Sequence, residues 1–193
     1  MLSQSQFTAL SSLLKNETAV VLEAGKEYLV ESRLHSLMRE EGFPSLGALV
    51  DAVLLRSDPA LNQKVLLALT TNETSFFRDL SAFEYLKTTV IPGLMTSRAT
   101  QKAITIWSAA CSTGQEPYSI AISLAENFPL LANWNISIRA SDLNPNVVKR
   151  AASGEYTSLE VNRGLPVQML LKYFTQKGTD SFCVSGDIKS KII

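Results

Sequence analysis

Three side chains stand where the chain changes backbone character: the carboxylates of Glu116 and Asp142 and the guanidinium of Arg78. Glu116 ends a run of almost uniformly small residues, Ser108-Ala109-Ala110-Cys111-Ser112-Thr113-Gly114. Side chains that small, Ala109 and Gly114 among them, let the backbone itself approach a bound molecule. A carboxylate closing such a loop can neutralise a ligand ammonium at short range. Asp142 ends the alternating stretch Ile136-Ser137-Ile138-Arg139-Ala140-Ser141. A carboxylate at the end of a strand can accept two hydrogen bonds from vicinal ribose hydroxyls, or else cap the helix that follows. Thr71, Thr74 and Arg78, spaced i, i+3, i+7, put two hydroxyls and a guanidinium on one helical face, which either lines a cleft or faces solvent.

The elements that position these groups are legible around them. Ile104, Ile106 and Trp107 form a short apolar run rich in β-branched residues, the pattern of a strand buried in a parallel sheet. Beyond the small-residue loop, Pro117 suits the first turn of a helix, whose apolar stripe is Ile120, Ala121, Leu124 and Ala125, ending near Asn127. A second strand runs to Asp142, and a helix through Val147, Val148 and Ala151 follows Asn144-Pro145. Ligands of open α/β sheets bind at the carboxyl ends of strands, so the loop from Ser108 to Glu116 is the expected site.

The segment Thr70 to Asp79 reads as a helix opened by a Thr70–Glu73 capping box, with Phe76, Leu80 and Phe83 on its buried face. Upstream, four helical segments fill the chain to about Leu69. The second carries Val30, Leu34, Leu37 and Met38 and stops at Gly42; Pro44-Ser45 opens the third and Ser57-Asp58-Pro59 the fourth. Lys26, Arg33 and Arg39 on the second are interleaved with Glu27, Glu31, Glu40 and Glu41, a pattern that suits a solvated face better than a docking surface. Downstream, Pro166 opens a helix through Met169, Leu170 and Phe174, and the tail from Phe182 to Ile193 reads as short strands around a turn.

Composition narrows the function. The 193 residues carry 18 acidic and 18 basic side chains, so no global field attracts nucleic acid or an anionic membrane. A single histidine, His35, excludes histidine metal clusters and a Ser-His-Asp triad. Two cysteines, no leader-like N-terminus and no apolar run near the ~20 residues of a membrane span point to a cytoplasmic protein. The loop and Asp142 together suit a nucleoside. A dinucleotide would also need backbone donors around several glycines, and the loop has only Gly114, without G-x-G-x-x-G. S-adenosylmethionine fits better, having a ribose, no phosphate, and an ammonium for Glu116.

Three motifs, Thr71-Asn72-Glu73-Thr74-Ser75-Phe76-Phe77-Arg78, Trp107 through Ser119, and Ala140-Ser141-Asp142-Leu143-Asn144, together resemble the CheR family of chemotaxis receptor methyltransferases. The resemblance covers nearly the whole chain and implies an α/β protein. A small all-α N-terminal domain (1–70) precedes a linker helix (71–100), then the first half of a class I, Rossmann-like methyltransferase domain (101–193). It implies methyl transfer from S-adenosylmethionine, leaving S-adenosylhomocysteine, to glutamate side chains in the cytoplasmic domains of methyl-accepting chemoreceptors. The implied cofactor contacts are Asn72, Thr74, Arg78, Glu116 and Asp142, the last on the ribose, beside the loop residues Ala109 and Gly114. Arg78 is the expected catalytic residue, orienting the acceptor carboxylate and moving no proton.

In the family a basic helix faces an acidic receptor, whereas the corresponding helix here is charge-balanced. Ile193 precedes the family's Asn-Leu and Arg-Asn cofactor pairs, so the chain resembles the N-terminal portion of the enzyme, inactive by itself. The strand Ile104–Trp107 is then expected to keep one unpaired edge, a template for self-association. A nucleotide-dependent oxidoreductase and a non-catalytic cofactor-binding module are the competing classes.

Overall fold

The computed structural model describes residues 2–193 and separates into two compact units, one ending at Thr71 and one running from Asn72 to Ile193. The first is built from helices α1 (Gln4–Thr18), α2 (Glu27–Glu40), α3 (Leu46–Leu54) and α4 (Pro59–Leu69). Their starts follow local chemistry. Ser3 and Gln6 form a reciprocal capping box, Ser45 accepts from the Ala48 amide, and Asp58 accepts from Ala60 and Leu61 with Pro59 beside it. Leu10, Leu14, Val30, Leu34, Leu49, Val53 and Val65 close the core. Arg33 of α2 donates to the Leu69 carbonyl at 2.6 Å and to Thr71 Oγ1 at 2.8 Å. One of the cations on that interleaved face thus serves the carboxyl end of α4, where helix carbonyls lack partners.

The second unit opens with α5 (Leu80–Tyr85), a wider π turn (Leu86–Val90) and α6 (Ile91–Ser97). Strand β1 (Ala103–Ala109), α7 (Gln115–Asn127) and β2 (Asn135–Ser141) form the crossover unit. The two strands are parallel, Ile104 opposite Ile136 and Ala109 opposite Ser141. Ile192 bridges Ile138 from the other side of β2, while β1 is paired along one edge only among the described residues. Next come α8 (Pro145–Ser153), β3 (Glu155–Thr157), α9 (Ser158–Asn162), α10 (Val167–Tyr173), β4 (Phe174–Lys177), β5 (Ser181–Val184) and α11 (Gly186–Lys189). A second sheet, antiparallel in the order β3-β5-β4, is formed by these short strands.

Several expectations are corrected. Trp107 is 71% exposed, because side chains alternate along β1: Ile104 and Ser108 are buried, and Trp107 points to the opposite face. The helix after Pro166 stops at Tyr173, since Phe174 begins β4 and pairs with Val184. The tail is a strand and then a short helix, with the hairpin turn lying earlier, between Lys177 and Ser181.

The core of this unit joins Ile104, Ile138, Ala121 and Ile122 to an aromatic cluster. Phe76 meets Tyr156 and Phe174 edge-on, with ring centroids 5.0 and 5.6 Å apart. Tyr118 lies beneath, its hydroxyl donating to the Ala151 carbonyl at 2.9 Å, and burial pushes its pKa from the ordinary 10.0 up to about 12. A folded-state pKa above the unfolded one stabilises the fold fully below the unfolded value and loses that stabilisation as pH rises through the folded value. The contribution of Tyr118 to the melting temperature of this unit should therefore hold up to about pH 10 and fall between about pH 10 and 12. Thermal melts of Tyr118→Phe should show a shallower fall; an equally steep one would assign the alkaline loss elsewhere.

Candidate functional site

The site is assembled where β1 and β2 end. The backbone from Ala110 to Gly114 alternates through left-handed conformations, with φ of 57° at Ala110, 50° at Ser112 and 95° at Gly114. For residues other than glycine each costs ~1–2 kcal/mol, so the loop persists because its surroundings over-determine it. The Cys111 amide donates to the Ser141 carbonyl at 2.9 Å and the Gly114 amide to the Cys111 carbonyl at 2.9 Å. Tyr156 donates to the Thr113 carbonyl at 2.7 Å. A Cβ on Gly114 would meet Ala151 Cβ and the Tyr156 hydroxyl at 2.9 Å, so both its φ and its packing require glycine. Cys111 is buried, and burial pushes its thiol up from its ordinary range, which disfavours the thiolate.

Ser112 is the node that joins the three motifs. Its amide donates to Asp142 Oδ2 at 2.8 Å, and its hydroxyl donates to the Asn72 carbonyl at 2.6 Å. Asp142 Oδ1 accepts from the Asn144 amide at 2.9 Å, whereas the cap of α8 is Asn144 itself, through the Asn146 amide. Asp142 is therefore not the cap of that helix. Each of its oxygens takes one backbone donor and keeps a further lone pair for a hydroxyl.

Glu116, in the first turn of α7, accepts from the buried Ser108 hydroxyl at 2.7 Å and is itself exposed. That bond aims the carboxylate while leaving Oε2 without a partner among the described residues. Ala109 is exposed at the end of β1, opposite Ser141.

The first motif departs from expectation. Residues 71–75 are not helical, Phe77 has φ of 48°, and the helix begins only at Leu80, capped by Asp79. The backbone groups a helix would have paired are taken by side chains from elsewhere. Ser112 holds the Asn72 carbonyl, and Ser119 Oγ accepts from the Phe77 amide at 3.0 Å. Helical spacing therefore does not bring Thr71, Thr74 and Arg78 together. Arg78 instead turns back to the Glu73 carbonyl at 2.8 Å and is exposed, while Asn72 and Thr74 are half-buried. Asn72, Asp142 and the loop are joined directly through Ser112, whereas Arg78 reaches the assembly through its own segment.

Sequence reasoning missed Ser108, Ser112 and Ser119, which looked like mere small residues. Each is at most 5% exposed, and a hydroxyl so buried needs partners; here the partners are the functional segments themselves.

The donor set fits S-adenosylmethionine. Two open carboxylates suit an ammonium and a ribose, and the loop offers a close backbone approach with no cluster of glycines for a pyrophosphate.

Comparison with known proteins agrees. Residues 72–193 match the family model of the CheR methyltransferase SAM-binding domain, and residues 5–70 that of the CheR methyltransferase all-alpha domain. The chain is 38% identical over 194 residues to chemotaxis protein methyltransferase 1 of Pseudomonas aeruginosa, covering 98% of this chain and 70% of that protein. It is 39% identical to chemotaxis protein methyltransferase Cher2 of Pseudomonas putida, covering 93% and 66%. With chemotaxis protein methyltransferase 2 of Vibrio cholerae it shares 31% identity, covering 100% and 66%. The chain thus spans about two thirds of these curated relatives' length. With an all-α unit followed by an S-adenosylmethionine-binding α/β unit, the chain belongs to the CheR methyltransferase family.

Proposed function

We propose that this protein methylates glutamate side chains in the cytoplasmic domains of chemoreceptors, using S-adenosylmethionine. The observation that carries the reading is Ser112, which bonds Asn72 and Asp142 at once and so builds one cofactor cradle from three separate motifs. In this reading Asn72, Thr74, Ala109, Gly114, Glu116 and Asp142 hold the cofactor, with Glu116 at the ammonium and Asp142 at the ribose. Bound S-adenosylmethionine supplies the electrophilic methyl group. The acceptor glutamate, of pKa ~4.3, is already ionised at neutral pH, so its oxygen forms the new O–C bond as the S–C bond breaks, and no proton has to move. Alignment is the task left to the protein, and Arg78 performs it on the acceptor carboxylate. A cytoplasmic location belongs to the same reading; no helix among the described residues is long and apolar enough to cross a membrane. So does self-association through the open edge of β1, which sedimentation would read directly.

Calorimetric titration with S-adenosylhomocysteine and with NAD separates the methyltransferase from an oxidoreductase. Methyl transfer to receptor membranes, read in a full-length context, separates it from a binding module. In a full-length context, Arg78→Ala should cut methyl transfer on the order of 10²-fold while weakening S-adenosylhomocysteine binding far less. If binding and turnover fall together, Arg78 anchors the cofactor only.

A further inference from the structure

The Arg78 guanidinium lies against the backbone of a glutamate of the chain itself. Its Nη1 donates to the Glu73 carbonyl oxygen at 2.8 Å, next to a side chain bearing the same functional group as the proposed acceptor. An internal carboxylate five residues away competes at an effective concentration that a dilute receptor cannot match, ~mM for short tethers. In the structure Glu73 is engaged elsewhere: Oε1 pairs with Nη2 of Arg163, 90 residues downstream. The Glu73 carboxyl is held below the usual carboxylate range, by Arg163 first and by Arg78 after it, so both cations act on it.

The position of Arg163 is not left to a flexible surface side chain alone. Gly164, the next residue, has φ of +93° and lies so close to the Phe76 carbonyl oxygen that a Cβ would come within 2.0 Å of it. Phe76 is fully buried in the aromatic cluster. The turn carrying Arg163 is thereby pressed onto the segment that carries both Glu73 and Arg78.

We propose that Arg163 is a positioning residue that keeps Glu73 off Arg78 and so leaves the Arg78 guanidinium open to the acceptor carboxylate. The inference rests on the reading of Arg78 as the residue that orients that carboxylate. Arg163 and Glu73 are both more than half exposed, so replacing them spares the core.

The test follows the Arg78 side-chain Nε–H resonance in protein loaded with S-adenosylhomocysteine while glutarate, a mimic of the acceptor side chain, is added. Glutarate should shift the resonance in the wild type. Arg163→Ala should need about fivefold more glutarate, the scale set by one exposed ion pair, and adding Glu73→Gln should restore the wild-type titration. A merely structural role for Arg163 would not be rescued by Glu73→Gln. A wild-type resonance that glutarate leaves unmoved, an Arg163→Ala titration like the wild type, or a double variant as weak as Arg163→Ala would each overturn the proposal. Methyl transfer to receptor membranes is read separately. A protein that passes the glutarate test but methylates no receptor in a full-length context retracts the receptor activity and leaves the role of Arg163 standing.

Discussion

Gly164→Ala should destabilise the second unit by roughly 2–5 kcal/mol, the sum of a left-handed backbone forced on a residue with a Cβ and of overpacking. The added methyl would stand 2.0 Å from the Phe76 carbonyl oxygen and 3.1 Å from its carbonyl carbon. Backbone atoms cannot rotate out of the way as a flexible side chain would. Nor can Phe76 retreat, because its ring is edge-on to Tyr156 and Phe174 and has no exposed surface. The measurement is convenient. Both tryptophans of the chain, Trp107 and Trp134, lie in the second unit, so tryptophan fluorescence in denaturant follows that unit apart from the helical one. A midpoint like that of the wild type would mean that the Arg163-Gly164 turn can lift away from Phe76, and the close packing argued for this segment would be withdrawn.

Asp142→Ala should weaken S-adenosylhomocysteine binding by roughly 1.5–3 kcal/mol, the scale of hydrogen bonds to a charged group, or about 10- to 150-fold in affinity. Two effects act together. The ribose loses a charged acceptor, and the Ser112 amide loses the partner it holds at 2.8 Å, which loosens a loop whose Ser112 already sits at φ 50°. The helix-capping alternative makes a different forecast, because the cap of α8 is Asn144. Asn144→Ala should cost ~1 kcal/mol of stability and leave affinity nearly unchanged. Calorimetry on both variants separates the two roles. Unchanged affinity in folded Asp142→Ala would confine Asp142 to supporting the loop.

Elements governed by contacts within a few residues were legible in the chain alone. Ser45 and Asp58 open α3 and α4 as their types and spacing require, since a cap bonds amides two or three residues away. The strand, small-residue loop and helix from Ile104 to Asn127, the strand ending near Asp142, and the family to which the chain belongs were legible for a related reason. The side-chain periods and the three motifs are written directly in residue order.

Tertiary structure decided whatever depended on a partner distant in the chain. Thr70 to Asp79 has a helical pattern, yet residues 71–75 are not helical, because hydroxyls from Ser112 and Ser119, about 40 residues on, take its backbone groups in place of the next helical turn. The strand at Ile104 to Trp107 was legible as an apolar run, but not which face the core would cover, and Trp107 emerged on the exposed one. The meeting of Arg163 and Gly164 with Glu73 and Phe76 joins residues about 90 apart, and no local period encodes such a contact. Residue order carries a hydrogen bond when donor and acceptor share one turn of helix; when they lie on different elements, only the packing of those elements determines whether they meet.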